Sequence, residues 1–217
     1  MMTGGTENRN GLGLRERGKR ERLRRIKEAA LVAFKTQGYD AASTREIARM
    51  ADVSIGTLFV YAQDKRDLLF LVLNEDLDEI YEHAVVGVPR DGSVVDRLVA
   101  LLRPVYAYFA AEPELARASL REMGHFDPRN PAVGKQAQRY YDRMDRWRAA
   151  IAALLADAGK RGRLRIRDEE YEPLARALLD VHLGAVRVWL QQNTPELGSG
   201  LAALKSLFCV IIGDRKG

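Results

Sequence analysis

The segment from Ser43 to Lys65 constrains the fold of this chain more tightly than any other stretch of its 217 residues. Ser43 and Glu46 have the S-x-x-E spacing of a capping box, which predicts that a helix begins there. Ser54 is a favourable N-cap for a second short helix, and Asp64 is placed to cap a third. Because three helix starts follow one another so closely, the first two helices must be short and joined by a tight turn.

Two short helices joined by a tight turn are the arrangement of a helix-turn-helix, whose second helix enters the major groove of DNA. The charge distribution agrees with this interpretation: residues 1–66 contain 14 Lys and Arg against 8 Asp and Glu, whereas residues 67–217 contain 21 against 22. Positive charge concentrated in the part that would face phosphates is typical of DNA-binding proteins. The alternative is that the basic N-terminal region is only a solvated tail.

The same segment resembles the DNA-binding domain of the TetR family of bacterial transcriptional regulators. The matching residues are Thr44-Arg45-Glu46-Ile47-Ala48, Ala51-Asp52-Val53-Ser54, Gly56-Thr57-Leu58-Phe59, Tyr61, Lys65 and Leu68-Leu69, with Ala33-Phe34 and Gly38-Tyr39 upstream. The resemblance covers roughly residues 26–73 and depends on many positions at fixed spacing. The chain departs from the family pattern at Val60 and Ala62, where aromatic residues or histidine are common.

The resemblance implies that residues 54–61 form the recognition helix, and it assigns DNA contacts residue by residue. The expected DNA-binding residues are Thr44, Arg45, Ser54, Ile55, Gly56, Thr57, Phe59, Tyr61 and Lys65. Thr44 lies at a helix start that can hold a phosphate, and Arg45 is long enough to reach a base edge. Lys65 would hold a second phosphate. Phe59 would lie against the DNA backbone, with core packing as its alternative role.

The whole sequence predicts an all-α protein with about nine helices, because apolar residues recur at helical spacing and no stretch alternates as a strand would. With the resemblance, we expect a disordered arm over residues 1–14, a three-helix DNA-binding domain over residues 15–64, and an effector-binding and dimerisation domain over residues 65–217. In that last region the predicted helices are Lys65–His83, Ser93–Ala111, Pro113–Met123, Pro131–Ala158, Asp168–Gln192 and Thr194–Gly213.

The C-terminal region carries aromatic and soft side chains that are suited to lining an apolar pocket. The candidate ligand-binding residues are Tyr106, Phe109, Met123, Phe126, Tyr140, Met144, Trp147, His182 and Trp189. The resemblance implies a small-molecule effector that changes the spacing of two recognition helices, and this lining favours an apolar or aromatic one. Taken singly, residues of these types more often belong to an ordinary core, and a histidine such as His182 is more often a hydrogen-bonded core residue than a ligand contact.

The last two helices have wide apolar stripes, which the resemblance assigns to a four-helix interface between two copies of the chain. The candidate interface residues are Leu178, Ala185, Trp189, Leu201, Leu204, Phe208 and Ile211. Helix-turn-helix proteins usually dimerise so that two recognition helices reach two half-sites. We therefore expect a homodimer. The alternative is that both helices belong to the core of a monomer.

Enzymatic activity is not expected, because the chain has no Gly-rich phosphate loop and its three histidines are far apart in sequence. The single cysteine, Cys209, has no partner at metal-ligand spacing, so we expect neither a metal nor a cofactor. A chain without a possible internal disulfide fits a reducing cytoplasm. No segment approaches the length of a membrane span, and we expect no secretion signal.

These observations predict a DNA-binding transcriptional regulator, a repressor that a small apolar or aromatic effector releases from a palindromic operator. The main alternative is a DNA-binding regulator without a small-molecule effector, either constitutive or controlled by a protein partner. A third interpretation, an architectural protein that coats DNA, is disfavoured by the compact recognition helix.

Overall fold

The computed structural model describes residues 7–123 and 134–213, with side chains from residue 13 onward. These residues form nine α-helices and one short 3-10 helix, without any strand among them. The α-helices are α1 Glu7–Gln37, α2 Thr44–Met50, α3 Ile55–Tyr61, α4 Lys65–Val86, α5 Val94–Ala111, α6 Pro113–Met123, α7 Lys135–Lys160, α8 Tyr171–Trp189 and α9 Leu197–Ile212. The 3-10 helix, Asp168–Glu170, precedes α8. The all-α prediction is therefore confirmed.

The chain divides into two compact units, one of Met1–Val72 with Ala132–Ala137 and the other of Leu73–Pro131 with Gln138–Gly217. This division falls inside α4, whereas the sequence predicts a boundary before its first residue. The N-terminal helix also differs from expectation. The helix α1 begins at Glu7, whereas the sequence predicts a disordered arm over residues 1–14.

The first unit is built on a small apolar core shared by three helices. The fully buried side chains at its centre are Ile26, Ala30 and Phe34 from α1, Ile47 from α2 and Leu58 from α3. The α1 residues recur at helical spacing, so they form one stripe that covers α2 and α3. This packing holds the two short helices, which would be marginal in isolation because helix nucleation is costly.

In the second unit α9 packs against both α5 and α8, and α6 packs against α5. The corner between α8 and α9 is fixed by Trp189, whose indole Nε1 donates a hydrogen bond to the Glu196 carbonyl at 2.9 Å. A Cβ atom added at Gly200 would lie 2.8 Å from that indole ring. This close packing explains why α8 ends at Trp189 and α9 begins at Leu197, so the predicted helix ends at residues 192 and 194 are wrong.

Most of the predicted dimer-interface residues pack inside the protomer. The side chains of Leu178, Trp189, Leu201, Leu204 and Phe208 are buried within the chain, which corrects their assignment to the interface. Ile211 and Ala185 are partly exposed. The large apolar side chains that α8 and α9 expose are instead Val188, Leu207 and Val210, which are 66%, 43% and 81% exposed.

No helix in residues 7–123 and 134–213 is long and apolar enough to cross a membrane. In the same ranges, no group of three or more His, Cys, Asp or Glu side chains is arranged to hold a metal ion.

Candidate DNA-binding surface and effector cavity

The helix-turn-helix begins where the sequence predicts, but without the predicted cap. Ser43 has extended backbone geometry before α2, and its carbonyl accepts the Ile47 amide at 2.9 Å. Its side chain makes no capping hydrogen bond. The helix start is thus set by the backbone and by burial of Ile47 and Ala48, since the capping box is not formed.

The turn between α2 and α3 depends on an unusual backbone conformation at Asp52. Its φ is +52°, and it is the one residue other than glycine with positive φ among those described. Aspartate tolerates this region better than most residues. Arg25 of α1 donates from Nη1 to Asp52 Oδ2 at 3.0 Å, which ties the turn to the helix behind it. The sequence alone gave no sign of this contact, because it joins residues that are far apart in the chain.

The recognition helix α3 has a conventional start and an apolar exposed surface. Ser54 Oγ accepts the Thr57 amide at 3.0 Å, so the predicted N-cap is formed. Leu58 points into the core, whereas Ile55, Phe59 and Val60 are 38%, 45% and 78% exposed. Exposure of this size does not fit the alternative role of Phe59 as a core residue. Side chains of this kind can contact thymine methyl groups and sugars.

Gly56 leaves open space on the outer side of α3. The nearest side-chain atom that an added Cβ would meet is Ser54 Oγ, at 3.9 Å. Packing within the protein therefore does not require glycine at this position. The missing side chain lets another molecule approach the backbone closely, as the sequence predicts for DNA.

Two of the expected phosphate contacts make hydrogen bonds inside the protein. Lys65 Nζ donates to the carbonyl oxygens of Asp40 at 2.8 Å and Ala42 at 3.3 Å, and it lies 4.8 Å from the Tyr39 ring centroid. Tyr61 donates its hydroxyl to the Lys19 carbonyl at 3.2 Å. Lys65 thus fixes the loop before α2. Of the other expected contacts, Arg45 and Ser54 are exposed, and Thr44 and Thr57 are half-buried.

A buried carboxylate organises the segment that follows the recognition helix. Asp67 in the first turn of α4 is 3% exposed, and its Oδ2 accepts the Gln63 amide at 3.0 Å. Its Oδ1 accepts the amides of Gln136 at 2.8 Å and Ala137 at 3.0 Å, so it caps the N-terminus of α7. An added Cβ at Gly134 would overlap this carboxyl group. The sequence analysis missed this contact, because it spans almost seventy residues.

The second unit contains a cavity between α4, α5, α7 and α8 that brings together five of the predicted ligand-binding residues. These five are Phe109, Tyr140, Met144, Trp147 and His182. The other lining residues, which the sequence analysis did not single out, are Leu77, Val105, Arg143, Leu179 and Leu183. The free space is about 20 Å³, so the lining side chains nearly fill it.

The remaining predicted ligand-binding residues that the structure describes do not line this cavity, but two of them pack against its lining residue His182 or its neighbour. The Tyr106 ring centroid lies 5.5 Å from that of His182 and 5.0 Å from that of Trp189, so these three rings form one cluster. Met123 does not line the cavity, and its carbonyl accepts the Tyr141 hydroxyl at 3.2 Å. Phe126 lies outside the described residues.

The cavity contains one cation, Arg143, and its charge is compensated. Its guanidinium donates to Asn74 Oδ1 at 3.1 Å and to Asp78 Oδ1 at 2.8 Å, and its side chain is 1% exposed. Burial alone would raise the pKa of Asp78, but hydrogen bonds from Arg143 and Arg139 outweigh burial and lower it. Since a buried ion pair keeps both charges only with such partners, Arg143 is a structural cation.

His182 has no such compensation. Burial lowers the pKa of His182 to about 4, so the imidazole is neutral at physiological pH. Burial also raises the pKa of Tyr106, which therefore keeps its phenol proton. The polar groups of this cluster are accordingly uncharged.

A second, open groove of about 470 Å³ lies between the ends of α6 and α8, beside Arg117, Arg121 and Arg187. Arg117 donates to the carbonyl oxygens of Leu190 at 2.7 Å and Gln192 at 2.8 Å, which caps the end of α8. It also pairs with Glu114. The Arg117 guanidinium therefore has a structural role.

The chain is similar to known DNA-binding regulators. Residues 26–72 match the family model described as bacterial regulatory proteins, tetR family. The HTH-type transcriptional repressor KstR of Rhodococcus jostii is 26% identical over 175 residues, which are 81% of this chain and 76% of that protein. The fatty acid metabolism regulator protein of Bacillus subtilis is 23% identical over 105 residues, or 48% of this chain and 54% of that protein.

Among solved structures, FadR of Thermus thermophilus, a TetR family repressor in complex with lauroyl-CoA, has a TM-score of 0.64 and 25% identity. The match covers 85% of this chain and 92% of that one. The fold, the helix-turn-helix and the similar proteins agree that this is a DNA-binding transcriptional regulator and not an enzyme. Residues 26–72 thus carry a DNA-binding domain of the tetR family of bacterial regulatory proteins, and the chain as a whole is similar to solved TetR-family regulators.

Proposed function

We propose that this regulator is released from its operator when an apolar effector with a fatty acyl chain occupies the cavity between α4, α5, α7 and α8. The observation that carries the proposal is the cavity itself, a small space lined by aromatic and aliphatic side chains with one compensated cation in its wall. The lauroyl-CoA complex of the T. thermophilus protein supports the effector class. Apolar walls with a few polar groups are typical of small-molecule sites.

The size of the cavity gives the switch a physical basis. A free space of about 20 Å³ holds no more than about one water molecule. A long acyl chain therefore requires the lining side chains and their helices to move apart. An effector shifts an equilibrium only by its preference for one arrangement over the other, so it must favour the expanded cavity.

On the DNA side, we propose that two copies of the chain read a palindromic operator with α2 and α3. The exposed side chains of Arg45, Ile55, Phe59 and Val60, together with the open backbone at Gly56, would face the groove. Specificity would then depend on Arg45 and on apolar contacts, because α3 itself carries no charged residue. A regulator of bacterial transcription works beside the chromosome, so we propose a cytoplasmic location.

The test begins with a duplex selected from a random pool by the purified full-length protein. Binding is followed by fluorescence anisotropy of the labelled duplex while lauroyl-CoA is added, with free CoA as the control. We expect lauroyl-CoA to release the duplex and to raise the melting temperature of the protein, and free CoA to do neither.

The matched variant is Leu183→Phe, which fills the cavity without touching the helix-turn-helix. We expect it to bind the operator as tightly as the wild type and to resist release. Operator binding that no acyl-CoA disturbs would instead favour a regulator without a small-molecule effector of this class.

A further inference from the structure

Two buried polar atoms beside the cavity have no hydrogen-bond partner among the described residues. They are the hydroxyl oxygen of Tyr106 and Nδ1 of His182. Tyr106 is 0% exposed and His182 is 5% exposed, so bulk water does not reach either group. Nearly all buried polar groups in proteins are hydrogen-bonded, and an unpaired one destabilises the fold.

Two other buried polar atoms among the described residues lack a hydrogen-bond partner, and they have a simpler explanation. They are the Nε atoms of Arg25 and Arg148, whose guanidinium groups form ion pairs with Asp52 and Glu172. Tyr106 and His182 are different, because the unpaired atom is the polar group of the tyrosine and one of only two polar atoms of the histidine. Their rings are also neighbours, with centroids 5.5 Å apart.

The position of the pair connects it to the effector cavity. His182 lines the cavity directly, and Leu179 and Leu183 on the same helix lie beside it in the wall. Tyr106 lies against His182, and its neighbours on α5, Val105 and Phe109, also line the cavity. An effector that enlarges the cavity past His182 would therefore reach the Tyr106 hydroxyl.

Tyr106 and His182 carry no net charge, and no unpaired cation lies beside them among the residues that the structure describes. Tyr106 offers an O–H donor, and Nδ1 of His182 accepts or donates according to its tautomer. The one cation of the cavity wall, Arg143, is already paired with Asp78 and bonded to Asn74. A carboxylate placed here would be a buried charge without a partner, which is strongly unfavourable.

We propose that Tyr106 and His182 recognise an uncharged carbonyl or hydroxyl oxygen on the apolar body of the effector. This inference names the polar group of the ligand and rests on the proposed function for the location of its site. A thioester carbonyl of an acyl-CoA and a ketone or alcohol on a ring system share this chemistry. A free fatty acid does not.

The test measures binding to the full-length protein without DNA. Both tryptophans of the chain report on it, because Trp147 lines the cavity and Trp189 contacts Tyr106. The probes are matched neutral and anionic pairs, dodecan-2-one with dodecanoate and 2-acetylnaphthalene with 2-naphthoate. Where a pair of probes binds, we expect the affinity of the neutral probe to be at least about tenfold higher than that of the matching anion.

The variant Tyr106→Phe removes only the hydroxyl, and Tyr108→Phe on the same helix is its control, since the Tyr108 hydroxyl bonds to Asp76 at 3.1 Å. We expect Tyr106→Phe to weaken neutral ligands by about tenfold, the worth of one buried hydrogen bond, and Tyr108→Phe to leave them unchanged. Without ligand, Tyr106→Phe should melt at or above the temperature of the wild type, because its hydroxyl has no bond to lose.

The outcomes separate this inference from the proposed function. Release of the operator by lauroyl-CoA together with unchanged affinity of Tyr106→Phe for neutral probes would overturn the inference alone. Preference for neutral probes that Tyr106→Phe abolishes, without operator release by any acyl-CoA, would support the site and overturn the proposed switch. Tighter binding of the anions, binding of no neutral probe, or a lower melting temperature of Tyr106→Phe would each overturn the inference.

Discussion

At the scale of single residues, Arg143 and His182 line the same cavity but differ in charge. Arg143 is buried with a carboxylate and an amide oxygen as partners, so it stays charged. His182 is buried beside aromatic rings, and burial lowers its pKa to about 4. The difference follows from the neighbours, because only a partner of opposite charge offsets the loss of hydration.

The depressed pKa of His182 predicts a specific pH dependence of stability. The unfolded chain binds a proton near pH 6.5 that the folded chain binds only near pH 4, so stability falls as pH decreases through this window. Between pH 7 and pH 5 the loss should be about 2 kcal/mol. Urea unfolding at both pH values should show this loss in the wild type and a smaller one in His182→Gln. Equal losses would mean that folded His182 takes up its proton normally.

Lys65 and Arg45 are both expected DNA contacts, and the structure predicts that their alanine variants behave differently. Lys65→Ala removes two hydrogen bonds to the loop before α2, so it should lower stability by about 1–3 kcal/mol together with operator affinity. Arg45→Ala removes an exposed cation and should leave stability unchanged. The number of ions released when the Arg45→Ala variant binds the operator, read from the salt dependence of its affinity, should fall by about one. Thermal melts and salt titrations check both, and a Lys65 variant of full stability with a reduced slope would show a phosphate contact instead.

At the scale of elements, the start of α7 depends on a side chain from α4. The Asp67 carboxylate accepts two amides of the first turn of α7 and one from the segment after α3. An anion at a helix N-terminus is favourable because the free amide groups and the helix dipole point toward it. The absence of a side chain at Gly134 is what makes room for this carboxylate.

This arrangement predicts opposite effects for two glycine substitutions. Gly134→Ala would push its methyl group into the Asp67 carboxyl, so it should destabilise the protein by about 1–3 kcal/mol. Gly198→Ala in α9 meets nothing within 4 Å and should be neutral or slightly stabilising. Denaturant unfolding of both variants tests this. A Gly134→Ala protein as stable as Gly198→Ala would show that the carboxylate shifts without cost.

At the scale of the whole molecule, we expect a second copy of the chain to pack on the outer surface of α8 and α9. Residues that the sequence assigns to the interface are mostly buried in the protomer, but Val188, Leu207 and Val210 are exposed. Cys209 is exposed as well, so it is not a core residue. TetR regulators bind operator DNA as homodimers, and we propose that the partner covers these exposed apolar side chains.

Charges placed on this surface should therefore separate the dimer. The double variant Leu207→Glu with Val210→Glu should sediment as a monomer at micromolar concentration and lose operator affinity, because two carboxylates from each copy would be buried against those of the other. Val86→Glu, at an 87% exposed position on α4, is the control and should remain a dimer. If the double variant sediments with the mass of a dimer, the interface lies on another surface.

The sequence by itself determined the features that depend on near neighbours. The Ser54 cap, the Asp64 cap, the start of α3 and the helical spacing of Ile26, Ala30 and Phe34 are set by residues within one or two turns, and the structure has all of them. Five of the nine predicted ligand-binding residues also meet around one cavity.

Only the tertiary structure decided which side of each helix is covered. It left Phe59 exposed, bonded Lys65 to the loop before α2, brought Arg143 to the cavity and joined Asp67 to α7. It also buried five of the proposed interface residues. The physical reason is that caps and spacing are local, whereas burial and long-range hydrogen bonds depend on which helices pack together, and an apolar stripe fits a partner and a core equally well.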